Sequence, residues 1–586
     1  MALTNYPIVF NKTSWVFSYK FKRNNLQVFW SHNRSNGMSS EIPVETSSVA
    51  MVVPSSPLPF GSSVGAATMT SFSMPSSIFS FVSGYGTSLG DDVFNVTVHV
   101  NGESAIGTTD TNFICATLDW WPKEKCNEKK NCPWANATLL TLNLNNSVLL
   151  NAIKAFSRLK IRLGGTLQDK VVYQTNRSEL CKPFRLDETK LFSFTQGCLP
   201  LSRWDELNEF FIKSGAFITF GLNALSGRRM EAGSSDIATT GSWNSTNAKF
   251  LMTYSLDKRY HIHGWELGNE LVGRSAIGRQ IPADVYANDT IHLHRIVKNL
   301  YKDPKTRPIV MAPGGFFDEE WFKKYLQKAN HSLDAATHHI YDLGAGSDLN
   351  LTNRILDPGV LDGDTNILKQ LRGLVHGTKV QAWVGEAGGA YNSGGPNVSN
   401  TFVSSFWYLN QLGMSASYNT KVYCRQTLVG GNYGLLNATT FHPNPDYYSA
   451  LLWDRLMGEK SLNTSFEGTK KLRAFTHCAK KLGGITMLLM NLDDKRNITV
   501  NTSRIHMTSR KPEPRQEYHL TAPDGDLHSQ TVQLNGKKLE VNSVSGEIPI
   551  IQPLAYALHQ LINVAPHSIV FAHIPSAHLP ACKGKQ

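Results

Sequence analysis

The chain has 586 residues, 41% of them hydrophobic, and a formal net charge of +12. That length implies more than one domain, and no apolar run approaches the roughly 18 residues of a membrane-crossing helix. A basic surface suits an acidic partner; with no Lys/Arg stripe, zinc-finger spacing or RNA-binding signature, nucleic acid is not expected and an acidic glycan fits.

Residues 1–92 read as an extension outside the catalytic part, disordered or preceding a later start such as Met51, Met69 or Met74. Met1 is not followed by the basic and apolar regions of a signal peptide, and residues 34–66 are rich in Ser, Pro and Gly. Regular structure is expected from Phe94–Val100, an alternating β-branched strand, so that 93–111 would join a later β-domain.

From residue 112 the pattern alternates between strand and helix. Strands are expected at Asn112–Asp119, Leu159–Thr166, Ala216–Asn223, His263–Leu267, Arg307–Pro313, Asp334–Tyr341, Lys379–Glu386 and within Ala416–Leu428. Helices are expected at Leu139–Phe156, Asp205–Ser214, Ser245–Lys258, Ala283–Lys302, Glu319–Ala329, Asn366–Val375 and Phe402–Leu412. This is the pattern of an α/β protein with a (β/α)8 TIM barrel over 112–460. After about residue 461 strands follow one another without helices, which predicts an appended C-terminal β-sandwich over 461–586.

None of the eight cysteines forms a CxxC pair, so a zinc site is not expected. Disulfides are expected at Cys181–Cys198 and Cys478–Cys582, with Cys126–Cys132 compatible; Cys115 and Cys424, inside apolar strands, read as buried thiols. Sequons such as Asn136, Asn244, Asn330, Asn437 and Asn497 recur along the chain, which favours a secreted glycoprotein of the extracellular space or cell wall, or of a lysosome or vacuole. The basic surface is compatible with peripheral attachment to a wall or membrane.

Two strands end on a carboxylate. His263-Gly-Trp-Glu-Leu-Gly-Asn-Glu270 closes on Asn269-Glu270, and Lys379-Val-Gln-Ala-Trp-Val-Gly-Glu386 runs into a Gly-rich loop. At a barrel mouth, two facing carboxylates are the minimal apparatus of glycoside hydrolysis. Glu270 is assigned as acid/base and Glu386 as nucleophile, their mutual repulsion raising the pKa of the acid. Asn269 would donate to the sugar 2-hydroxyl and Tyr341 to Glu386. Glu266, four residues before Glu270, reads as a structural carboxylate of the barrel interior. His338-His339 lacks a third ligand at metal spacing, so neither metal nor cofactor is expected.

The segments Arg162-Leu-Gly-Gly-Thr166, Phe220-Gly-Leu-Asn-Ala-Leu225, Trp265-Glu-Leu-Gly-Asn-Glu-Leu271, His338-His-Ile-Tyr341 and Gly431-Asn-Tyr433, in this order, resemble glycoside hydrolase family 79, and most closely its plant heparanase-like and baicalin-type β-glucuronidase members. The resemblance spans residues 94 to 580. It implies a retaining mechanism on glucuronic-acid-containing glycans or glycosides. It adds Asp119, Thr166, His339 and Tyr433 as sugar contacts, and makes the loop at Asn392 a source of backbone amides for the uronate carboxylate. That loop departs from heparanase, where glycines stand in place of Asn392-Ser393. The alternatives are a catalytically silent carbohydrate-binding protein on this scaffold and a barrel glycosidase for neutral sugars.

Overall fold

The computed structural model describes residues 6–10, 13–22, 25–33, 93–126, 131–230, 239–480, 483–503, 505 and 513–583. The chain divides into two units, Met1–Thr87 and Ser88–Gln586. In the first, Tyr6–Phe10, Thr13–Lys22 and Asn25–Asn33 form an antiparallel three-stranded sheet in sequence order. Part of the expected unstructured extension therefore carries strands, built from aromatic and β-branched residues that suit a pleated surface. The expectation for residues 34–92 lies outside the described residues.

In the second unit, eight parallel strands close into a barrel. They are β1 Ile114–Leu118, β2 Lys160–Leu163, β3 Phe217–Leu222, β4 Ile262–Leu267, β5 Ile309–Phe316, β6 Ala335–Ile340, β7 Gln381–Ala387 and β8 Val422–Arg425. Pairing runs in sequence order and β8 returns to β1. Between the strands lie α1 Ser147–Lys154, α2 Leu201–Ser214, α3 Thr246–Asp257, α4 Ala283–Leu300, α5 Glu319–Ala329, α6 Thr365–Val375 and α7 Ser404–Ser417; α8 Pro445–Leu456 follows β8.

Helix α1 starts eight residues later than the apolar run from Leu139 suggests, because the Asn146 side chain caps it by accepting from the Leu149 N–H. The periodicity did not reveal α8. Nearly all its residues are buried, so it has no polar face to set against an apolar one.

Barrel closure also corrects the reading of two cysteines. Cys115 on β1 and Cys424 on β8 are register partners on neighbouring strands, with Cα atoms 4.1 Å apart, and form a disulfide. The other bridges are Cys126–Cys132, Cys181–Cys198 and Cys478–Cys582.

The C-terminal part forms an eleven-stranded sheet that takes in Phe94–Thr108 from ahead of the barrel. Its strand Ile485–Asn491 is buried along its whole length. Met487 and Leu489 face a core shared with Val96, Val98, Ile498 and Val564, whereas Leu488 and Met490 face the barrel's core. Period-two alternation thus divides one apolar run between two cores.

Candidate active site

The strand ends bring the predicted carboxylates together. β4 stops at Leu267, and Gly268 and Glu270 both take left-handed backbone, φ +70° and +56°. At Gly268 a side chain is excluded, since a Cβ would stand 2.2 Å from the Tyr286 hydroxyl. The Glu270 N–H is fixed on Gly314 O (2.6 Å) and that of Asn269 on Asp169 Oδ2 (2.8 Å). Such backbone strain in a non-glycine residue persists where surrounding bonds over-determine it, and it concentrates at functional sites.

Glu386, within β7, has both oxygens engaged. Oε2 accepts from Arg162 (2.8 Å) and Oε1 from the Tyr341 hydroxyl (2.6 Å). A carboxylate oxygen of Glu270, one of Glu386 and a ring nitrogen of His339 lie within 4.8 Å of one another. That triangle is also of metal-site size; within it His339 Nδ1 pairs with Glu270 Oε1 (2.9 Å), and Glu386 with Arg162 and Tyr341.

Burial raises the Glu270 carboxyl to about 7, and Arg162 opposes this only in part. The cause is desolvation rather than the expected repulsion from Glu386. That repulsion acts instead on Asp119, which burial first and Glu386 second raise to about 7. Burial lowers His339 to about 4, so it meets Glu270 as a neutral ring.

Arg162 holds the assembly together. From within β2 it donates through Nε to Glu266 (2.5 Å), and through its terminal nitrogens to Glu386 and to Asn269 Oδ1 (both 2.8 Å). Burial works against its charge, but Glu266 and Glu386 outweigh that and hold its pKa above the ordinary value. Because Asn269 Oδ1 is occupied, its Nδ2 is the free end, buried and without a protein partner. The sequence alone assigns Arg162 no role. Its signal was an arginine inside an apolar strand, which on a barrel points inward.

Asp119, one residue past β1, accepts from the Trp120 N–H (2.6 Å) and from Gln426 (3.1 Å). A Cβ at Gly165 would fall 2.3 Å from Asp119 Oδ2, so only glycine fits before Thr166. Thr166 itself opens a short 3-10 turn at the β2 exit, and no hydrogen bond ties it into the carboxylate network. Tyr433 lies within electrostatic reach of Glu386 and Asp119, and burial holds its phenol protonated. Asn392 is exposed on the loop after β7. Gln426 and Asp169, which sequence reasoning missed, serve as supports.

The family model described as "Glycosyl hydrolase family 79, N-terminal domain" matches residues 95–413. Heparanase-like protein 3 of Arabidopsis thaliana is 52% identical over 512 residues, covering 83% of this chain and 94% of that protein. The chain belongs to glycoside hydrolase family 79. Baicalin-β-D-glucuronidase of Scutellaria baicalensis is 46% identical over 488 residues, 81% of this chain and 91% of that protein. A 4-O-α-L-rhamnosyl-β-D-glucuronidase structure from Fusarium oxysporum shares the fold, with a TM-score of 0.59 at 14% identity over 82% of this chain and all of that one. This family-79 chain is a glycoside hydrolase, and its strand-four and strand-seven glutamates meet at one mouth.

Proposed function

We propose that the protein hydrolyses β-linked glucuronides with retention of configuration, Glu270 acting as acid/base and Glu386 as nucleophile. The observation that carries this is the pairing of a buried carboxyl raised to about 7 with a carboxylate held by Arg162 and Tyr341, their oxygens within 4.8 Å. Retaining enzymes place the two groups about 5–5.5 Å apart, whereas inverting ones leave room for a water between them.

In the first step a Glu386 oxygen attacks the anomeric carbon and the Glu270 proton passes to the departing oxygen, so the glycosidic bond breaks and a glycosyl ester forms. In the second, Glu270 takes a proton from water, the hydroxyl oxygen joins the anomeric carbon, and Glu386 leaves as carboxylate. The free Nδ2 of Asn269 donates to the sugar 2-hydroxyl, a bond that strengthens as the oxocarbenium ion develops. His339 holds the Glu270 carboxyl in place throughout.

Uronate selectivity is supported by the loop after β7. Among the described residues the backbone N–H groups of Asn392, Ser393 and Gly394 meet no protein acceptor, which leaves donors for a carboxylate. Asp119, Thr166 and Tyr433 line the same mouth and take the remaining hydroxyls. Four disulfides favour an oxidising destination, the extracellular space, cell wall, lysosome or vacuole.

The test is hydrolysis of an aryl β-glucuronide and the matching β-glucoside by the full chain, with the anomer first released read by NMR. Release of the β-anomer of glucuronic acid, with the glucoside much slower, is expected. An α-anomer product or a preference for the glucoside would sink the reading.

A further inference from the structure

Three loops interlock beside the mouth, and one buried tryptophan sits where they meet. The loop after β7 takes three successive left-handed residues, Asn392 (φ +59°), Ser393 (φ +70°) and Gly394 (φ +77°). Asparagine and glycine accept that conformation readily, but serine resists it, because its Cβ crowds the following carbonyl oxygen. The strain is held from two sides. Asn432 donates its N–H to Ser393 O (2.7 Å) and its side-chain amide to Gly394 O (3.1 Å). Trp134 donates its indole N–H to Ser393 Oγ (2.9 Å).

Trp134 is itself fixed. It is fully buried and meets Tyr433 edge-on, ring centroids 6.2 Å apart. The loop before Tyr433 closes onto it so tightly that a Cβ at Gly430 would lie 2.6 Å from the indole. It follows Cys132 by two residues, and the Cys126–Cys132 bridge closes the segment that leaves β1 after Asp119. It shares no hydrogen bond with Glu270 or Glu386.

We propose that Trp134 is a positioning residue for uronate recognition: through Ser393 Oγ it locks residues 392–394 in the left-handed turn that points their N–H groups at the substrate carboxylate. Successive N–H groups in such a turn form a concave anion seat without any side-chain cation. The proposal rests on the glucuronidase reading. It also accounts for the departure at Asn392-Ser393, since a serine locked at φ +70° presents its amide as a glycine there would.

The experiment compares wild type, Trp134→Phe, Ser393→Ala and the double variant in the full chain, measuring kcat and KM for an aryl β-glucuronide and Ki for free glucuronic acid. Phenylalanine keeps the ring packing and removes the N–H; alanine removes only the acceptor. KM and Ki should both rise about 10-fold in each single variant, with kcat within about twofold. The double variant should be no worse than the poorer single one, because both lose the same bond. A fall in kcat at unchanged KM, or multiplying losses in the double variant, would show Trp134 to be ordinary packing. If Trp134→Phe does not fold, Ser393→Ala still decides, and unchanged KM and Ki there overturn the proposal. A wild type silent towards the glucuronide removes the underlying reading; an active wild type with unaltered variants removes this inference alone.

Discussion

Two buried arginines in this molecule sit in opposite circumstances. In the C-terminal sheet, Arg515 pairs with Glu517 (2.6 Å), whose other oxygen meets His519 (2.6 Å), and a further guanidinium nitrogen donates to Gln560 O (3.0 Å). One cation there faces one carboxylate. At the barrel mouth Arg162 faces Glu266 and Glu386 directly and Glu270 through space. One cation there serves three acids, and Glu270, which it reaches only through space, is raised by burial to about 7. Around it Glu266 Oε1, Asn269 Nδ2 and His339 Nε2 lack protein partners. In the sheet the one nitrogen without a hydrogen bond, Arg515 Nη2, still stands 2.5 Å from Glu517, so charge is matched there, whereas the mouth has unmatched charge and several unmet hydrogen bonds that a substrate can complete.

The sharpest way to break that comparison is to neutralise one glutamate in each region. Glu386→Gln should cut kcat about 10⁴-fold with little change in melting temperature, because it removes the nucleophile from an overcharged cluster. Glu517→Gln should do the reverse, leaving the kcat of folded protein unchanged while costing about 3–5 kcal/mol of stability, since it leaves a buried arginine uncompensated. Parallel kinetics and thermal unfolding read both; a large stability loss in Glu386→Gln would mean the mouth is as structurally closed as the sheet.

Arg162→Lys is expected to have the next largest effect. A lysine offers a point charge in place of a planar fork and cannot reach Glu266, Glu386 and Asn269 at once. kcat should fall about 10²–10³-fold, and part of the loss should appear as weaker selectivity for the 2-hydroxyl, because Asn269 is then free to flip. Comparing an aryl glucuronide with its 2-deoxy analogue in wild type and variant measures this.

Much of this arrangement was legible in the chain. Barrel periodicity placed Glu270 and Glu386 at strand ends four and seven; Glu386 lies within β7, and Glu270 three residues past the last residue of β4. What stayed hidden was whatever depends on closure. The Cys115–Cys424 bridge needs β8 to return to β1, a neighbour relation between residues 309 positions apart. The bond of Trp134 to Ser393 spans 259 positions and belongs to two loops without any periodicity. Helix α8 escaped because burial on every side erases the amphipathic signal. The cause of the Glu270 shift could not be read either, because desolvation depends on everything packed around a group, whereas repulsion needs only a partner's name.

Milder than any substitution is a change of pH. Glu270 must carry its proton to act as acid, so kcat/KM should fall as pH rises through about 7, approaching tenfold per unit above it. In Glu270→Gln that limb should vanish for an activated aryl leaving group, which departs without protonation. A limb that survives there would belong to Asp119, raised to a similar value.

Stability should follow pH in two opposing ways, and the Glu270–His339 contact contains both. Asp119, Asp169 and Glu270 are each raised by burial to about 7. Folded protein therefore binds their protons more tightly than unfolded chain, and the stability they contribute is full below about 4 and lost as pH rises through 7. His338 and His339 are lowered by burial to about 3 and about 4. Their contribution is full above about 6.5 and lost as pH falls towards 4. Between those limits the two slopes oppose; from about 6.5 to 7.5 only the carboxyls still titrate, so melting temperature should decline there. Glu270→Gln removes one of these carboxyls and should flatten that decline, while His338→Asn should flatten the loss on the acid side. An equal decline in wild type and Glu270→Gln would mean the acid/base carboxyl is better hydrated than its burial indicates, and the decline would then belong to Asp119 and Asp169.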